Sequence, residues 1–300
     1  MPQSPAPQSS FFHGNMFGIL SIILWSASAL AVVYTNQMPA FLTTAISTFV
    51  PFVLFFIKWC FIDRSLKPAL TLGVRELWLP FLGLGSYFIL YIFAFKNAPA
   101  LEANLLNYLW PILMIVFSGL IFKNHALGIP EIGGGILGFI GTYFIFTSKG
   151  DLTFDNAYML GYILATIAAF IWAYYSLVSS RGEDNLNRVG MSMFYIAVLC
   201  FILHLLIEQS YTPDVTEYGG AVFLGVIGIA YAFWDKAMKF GNVKLLASLS
   251  YFIPLFSTLL LLVENGFDGS PRVITAMICI LGGCFLVNAR DAWIRIRKKK

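Results

Sequence analysis

The sequence predicts an all-α integral membrane protein: ten transmembrane helices forming two inverted five-helix repeats, with N- and C-termini cytoplasmic. Three observations predict it. The first is composition, since 59% hydrophobic residues, 11% charged residues and a mean hydropathy of +0.79 lie outside the range of soluble globular domains. The second is an internal repeat. Gly14 and Trp25 fall on Gly161 and Trp172, Tyr108 and Pro111 on Tyr251 and Pro254, and Pro130 and Gly141 on Pro271 and Gly282, with an offset drifting from 147 to 143 to 141. The third is charge: one face of the membrane collects nearly all the cations.

The spans read in order as 14–34, 41–61, 76–95, 101–122, 128–147, 158–180, 190–209, 219–238, 245–263 and 271–290. Each holds about twenty apolar residues, the length that crosses a hydrocarbon core. Between them stand breakers and charges that hydrocarbon would not accept: Gln37-Met38-Pro39, Lys67-Pro68, Lys149-Gly150-Asp151, Thr212-Pro213-Asp214 and Asp268-Gly269-Ser270-Pro271. The runs are too long and too continuously apolar for barrel strands. Residues 1–13 form an N-terminal tail without the features of a signal peptide, so the first apolar run is expected to be retained. The first repeat occupies 14–147, a linker 148–157, the second repeat 158–290, and a basic cytoplasmic tail 291–300. Five crossings per half turn the second half upside down relative to the first. Inverted repeats are the usual architecture of a carrier that opens alternately to either side.

With a cytoplasmic N-terminus, only Lys96, Lys149 and Arg272 of the 19 cations lie outside, which fixes the orientation because translocating Lys or Arg is disfavoured. The Arg/Lys tail at 295–300 reads as a solvated end or a partner for anionic headgroups of the lipid bilayer, not as a nucleic-acid site.

Cofactor and metal chemistry is not legible. Cys60, Cys200, Cys279 and Cys284 sit in apolar runs and read as free buried thiols, and His13, His125 and His204 are scattered. His204 reads as a packed or interfacial imidazole. Gly133-Gly134-Gly135-Ile136-Leu137-Gly138 matches a dinucleotide fingerprint in form, but it follows no strand. Gly134 and Gly138 instead give a small-residue face for close helix packing. A membrane-embedded enzyme would need a nucleophile with its base or a metal cluster at depth, so no catalytic residue is expected.

The Gly-to-Trp spacing opening each half, and the stretches Ala98 to Pro111 and Gly241 to Pro254 each followed by a long apolar run, resemble the EamA-type drug/metabolite transporter superfamily over almost the whole chain. Aromatic density and the Asn107-Tyr108-Leu109-Trp110-Pro111 run make it similar, within that superfamily, to bacterial aromatic amino acid exporters. One departure is visible. The second half ends its fourth helix with Glu264-Asn265, whereas the first has Lys123-Asn124. The resemblance implies an inner-membrane exporter, with its cavity between two five-helix halves and an amino acid as substrate. Another small metabolite, a hydrophobic cation or a drug is the alternative. It sets no oligomeric state, and a monomer is compatible.

A carrier for zwitterions needs a mid-membrane pocket with aromatic walls, a few hydrogen-bonding groups and little fixed charge. Trp110 and Trp172 fall mid-span, Tyr87 and Tyr91 share a helix face one turn apart, and Ser86 and Asn107 lie nearby. Trp25 is the repeat partner of Trp172, and Tyr231 and Trp234 are further candidates. Trp59, Trp78, Trp293 and Tyr211 sit at span ends and read as headgroup anchors. Pro111 and Pro254 occupy equivalent positions, where a kink could be either a hinge or a static bend. No carboxylate is expected at mid-depth, which leaves facilitated diffusion and proton antiport both open.

Overall fold

The computed structural model describes residues 8–35, 37–122, 127–181, 186–265 and 271–298, and among them every regular element is a helix. Ten helices are long and apolar enough to cross a membrane: Phe11–Thr35, Ala40–Ile62, Glu76–Asn97, Ala100–Ile121, Ile129–Ser148, Asn156–Ser179, Asn187–Ile207, Val215–Phe240, Val243–Leu260 and Pro271–Ala289. They are numbered here as the first to the tenth span. His125, Lys123-Asn124, the turn at 268–270 and the tail ends lie outside the described residues, as do the side chains of Glu264, Asn265 and 290–300.

Local chemistry sets the helix starts. Glu76 and Glu131 accept hydrogen bonds from the backbone amides of Gly73 and Gly128, each at 2.8 Å, and occupy an otherwise orphaned donor. Asp214 and Glu217 form a reciprocal capping box at the eighth span, with bonds of 2.8 and 2.9 Å. Three spans are interrupted. The fourth divides into Ala100–Asn107 and Trp110–Ile121, the eighth into Val215–Ile227 and Ala230–Phe240, and the ninth into Val243–Leu249 and Phe252–Asn265. The breaks in the fourth and ninth fall immediately before Trp110-Pro111 and Phe252-Ile253-Pro254. Each proline therefore sits in the first turn of a new segment, where its missing N–H costs nothing. A proline kink in a continuous helix, as the sequence suggested, is replaced by a break that the proline follows.

Packing between spans repeats itself when the halves are exchanged. The first span packs on the eighth and ninth, the sixth on the third and fourth, the second on the seventh, and the fifth on the tenth. Close contact at two glycines makes this possible. A Cβ on Gly14 would strike the Phe240 backbone, and one on Gly161 would lie 2.7 Å from the Asn97 carbonyl carbon. Gly134 behaves likewise, with a Cβ there only 2.6 Å from the Gly283 oxygen, so the fifth and tenth spans touch backbone to backbone.

These contacts sort the bundle into two ends. Residues near 14, 188, 240 and 244 cluster at one, and residues near 35, 97, 161 and 208 at the other, which carries the links after the odd-numbered spans. We call them the terminal end and the link end.

Trp59 departs from its expected place: it is 1% exposed and its indole N–H donates to Asn187 Oδ1 at 2.8 Å, a packed contact between the second and seventh spans. Trp78, 58% exposed, keeps a position open to lipid or headgroups. The four cysteines are free thiols, although only Cys200 is fully buried.

Candidate functional site

A cavity of about 680 Å³ enters the bundle from the link end. Its upper walls come from Val32 and Val33 at the end of the first span, Phe95 at the end of the third and Leu101 at the start of the fourth; its depth is bounded by Trp25, Trp110, Trp172 and Tyr231. Of the eight residues expected to bind substrate, seven line it: Trp25, Tyr87, Tyr91, Asn107, Trp110, Trp172 and Tyr231. Ser86 does not. It precedes Tyr87 by one residue, and the helical turn of roughly 100° per residue directs it elsewhere.

Trp172 is the centre of the aromatic set. Its ring lies 5.8 Å from Trp25, 5.3 Å from Tyr87, 6.2 Å from Trp110 and 5.6 Å from Tyr231, mostly edge-on or tilted as ring quadrupoles prefer. Tyr87 and Tyr91 stack in parallel at 5.6 Å. Trp234 does not line the cavity but supports its floor, 5.2 Å from Trp25 and 5.7 Å from Trp110, with its indole N–H donated to Ser176 Oγ at 3.0 Å.

Polar groups are few and specific. Tyr91 O–H donates to Asn104 Oδ1 at 2.7 Å, and Asn107 Nδ2 donates to Tyr87 Oη at 3.3 Å. Asn107 Oδ1 and Trp25 Nε1 are buried without a hydrogen-bond partner. One is an acceptor and the other a donor, both on residues of the cavity wall. Among the described residues no charged side chain lines the cavity. Asn104, Tyr108, Ser28 and Ser257 are lining residues that sequence reasoning passed over. Asn104, Asn107 and Tyr108 stand at i, i+3 and i+4, the spacing of a single helix face, and that pattern was the available signal.

The terminal end is closed beneath the aromatic floor. Asp235, 1% exposed, receives Arg188 Nη2 at 3.2 Å and Lys239 Nζ at 2.8 Å, and Arg188 also donates to the Ser179 carbonyl. Lys244 Nζ lies 4.0 Å from Glu131 Oε1 between the ninth and fifth spans. Arg181 donates to the Ile121 carbonyl and joins the sixth span to the fourth. Asp235 and Arg188 are buried inside their spans, close to the ends. At the link end Glu208 gathers three spans, accepting from Lys96 Nζ at 2.8 Å and the Phe41 amide at 3.1 Å while its other oxygen meets His204 Nδ1 at 3.1 Å. Burial alone would raise the Glu208 pKa, but these partners outweigh it and hold it below the usual carboxylate range.

An all-helical ten-span bundle enclosing an aromatic cavity is the form of a polytopic transporter. The chain belongs to the EamA-like transporter family, whose model matches residues 12–147 and 159–289. It is similar to the aromatic amino acid exporter YddG of Ancylobacter novellus, 34% identical over 90% of this chain and 94% of that protein. The aromatic amino acid exporter YddG of Escherichia coli is 27% identical over 69% of this chain and 71% of its own. A solved crystal structure superposes with a TM-score of 0.87 at 31% identity, covering 95% of this chain and 99% of that one.

Proposed function

We propose that this protein exports neutral amino acids, aromatic ones included, across a bacterial inner membrane by exposing the central cavity to each side in turn. The observation that carries the reading is the cavity's chemistry: aromatic walls, no lining charge among the described residues, and one unpartnered acceptor and donor in Asn107 Oδ1 and Trp25 Nε1. Buried polar atoms without partners are rare in folded proteins and call for a reason. A zwitterion supplies one, its ammonium to Asn107 and its carboxylate to the Trp25 indole. The tyrosine and tryptophan faces add attraction for the ammonium. A hydrophobic cation would share the aromatic faces but would find no lining carboxylate among the described residues to balance its charge.

Orientation follows from the cations. The sequence leaves only Lys96, Lys149 and Arg272 of its 19 cations in or beside the links after the odd-numbered spans, so the cavity opens outward and both termini are cytoplasmic. Inverted repeats are supported by the exchange symmetry of span packing, and by the equivalent glycines Gly14 and Gly161 packing at opposite ends of the bundle. The breaks before Pro111 and Pro254 are the proposed hinges, since neither is spanned by a continuous helical hydrogen-bond ladder. The test is counterflow of a radiolabelled amino acid panel in proteoliposomes, comparing wild type with Trp172→Ala and Asn107→Leu. Exchange by wild type that falls at least about tenfold in Asn107→Leu, as expected for a lost charge-assisted contact, and falls also in Trp172→Ala, which removes the ring at the centre of the aromatic wall, supports the reading. A wild type that exchanges no amino acid above empty liposomes overturns it.

A further inference from the structure

Beside the central cavity lies a second chamber of about 190 Å³, sharing Trp25, Ser28 and Tyr231 with it as a common wall. It reaches sideways between the second, seventh and eighth spans, past Thr48 and Met193 to the helix break at Gly228. Gly228 is required there, for a Cβ would approach Pro51 Cγ at 2.8 Å.

The serine and threonine hydroxyls facing this chamber are already used. Ser28 Oγ donates to the Trp25 carbonyl at 2.6 Å, Thr48 Oγ1 to the Thr44 carbonyl at 2.7 Å, and Ser47 Oγ to the same carbonyl at 3.2 Å. What remains to face a guest is hydrocarbon, aromatic ring and the Met193 thioether, with the Tyr231 hydroxyl and the Trp25 indole N–H confined to the wall shared with the central cavity. Close-packed interiors rarely keep voids larger than a water molecule, and apolar ones stay dry and take up apolar guests. The Met193 side chain, unbranched and polarizable, adapts to guests of different shape.

We infer that this chamber receives the side chain of the transported amino acid, while the backbone zwitterion stays in the central cavity. The inference rests on the amino acid reading above. Trp25 belongs to both walls, so a carboxylate on its indole N–H leaves the substrate's Cα at the chamber's mouth. Apolar and aromatic side chains enter. Charged ones are refused, because among the described residues no charge in the chamber wall compensates for their lost hydration.

Opposite changes in chamber volume test this. Thr48→Leu fills the chamber and Met193→Ala enlarges it, and counterflow in proteoliposomes is measured for tryptophan, leucine and alanine on wild type and both variants. The ratio of tryptophan to alanine exchange is expected to fall about tenfold in Thr48→Leu, the discrimination that a few misplaced methyl groups produce, and to rise in Met193→Ala. Should Thr48→Leu not reach the membrane, Ser47→Leu fills the same wall from a partly exposed position. If wild type exchanges all three amino acids while every variant scales them by one common factor, the chamber assignment falls and the transport reading stands. A wild type that exchanges none of them removes both.

Discussion

Trp25→Phe separates binding from folding at a single atom. The substitution deletes the indole N–H that is buried without a partner, and it keeps a six-membered ring against Trp172, Tyr231 and Trp234 at 5.2 to 5.8 Å. A buried unsatisfied donor costs about 1–3 kcal/mol, so its removal stabilises the empty protein. Against this stands the weakening of three ring contacts worth about 0.5–1.5 kcal/mol each. The two effects nearly cancel, and the unfolding midpoint in detergent should move little. Substrate affinity should move a great deal. A hydrogen bond to a carboxylate is worth about 1.5–3 kcal/mol, which at about 1.4 kcal/mol per decade weakens binding roughly 10- to 140-fold. The assay pairs thermal unfolding with equilibrium binding of labelled tryptophan to the purified protein. Wild-type affinity in a normally folded Trp25→Phe protein refutes the assignment of that N–H to substrate.

Three further expectations concern the frame that holds the site. Glu208 is ionised more readily folded than unfolded, so its contribution is present above the unfolded carboxylate pKa and is lost as pH falls through the depressed folded value; unfolding curves from pH 7 to 3 should show a shallower acid decline in Glu208→Gln than in wild type. Gly134→Ala forces a methyl against the Gly283 oxygen and should cost about 1–3 kcal/mol, as overpacking does, whereas Gly133→Ala, with nothing within 4 Å, should be neutral in the same melt. Asp235→Asn leaves Arg188 and Lys239 without their shared carboxylate and should lower stability by about 3–5 kcal/mol, the usual effect of breaking a buried ion pair. Recovery of the melting temperature in an Arg188→Met, Asp235→Leu, Lys239→Met triple variant would tie the loss to charge and not to packing.

The spans were legible because hydrocarbon imposes one requirement on twenty consecutive residues, and such a requirement is written locally. The same is true of the aromatic set: Trp110, Trp172 and the Tyr87–Tyr91 face are mid-span features that a helical projection brings inward. Ser86 shows the limit of that argument, since proximity in sequence to Tyr87 says nothing about direction around the helix. Trp59 was misread as an anchor because its partner, Asn187, is 128 residues away. The Arg188–Asp235 pair joins residues 47 apart, so neither position announces its partner. The break at Gly228 was equally invisible, because glycine is common in membrane helices and only the facing Pro51 shows what it is for.

Four of the chain's seven tryptophans, Trp25, Trp110, Trp172 and Trp234, lie within 6.4 Å of another indole around the cavity floor. Indoles this close share their excited states, so near-ultraviolet circular dichroism and intrinsic emission should be dominated by this one region of the molecule. The protein thus carries its own optical reporter. A guest that tilts the Trp172 ring changes the exciton signal directly, and occupancy can be followed in real time without any attached dye.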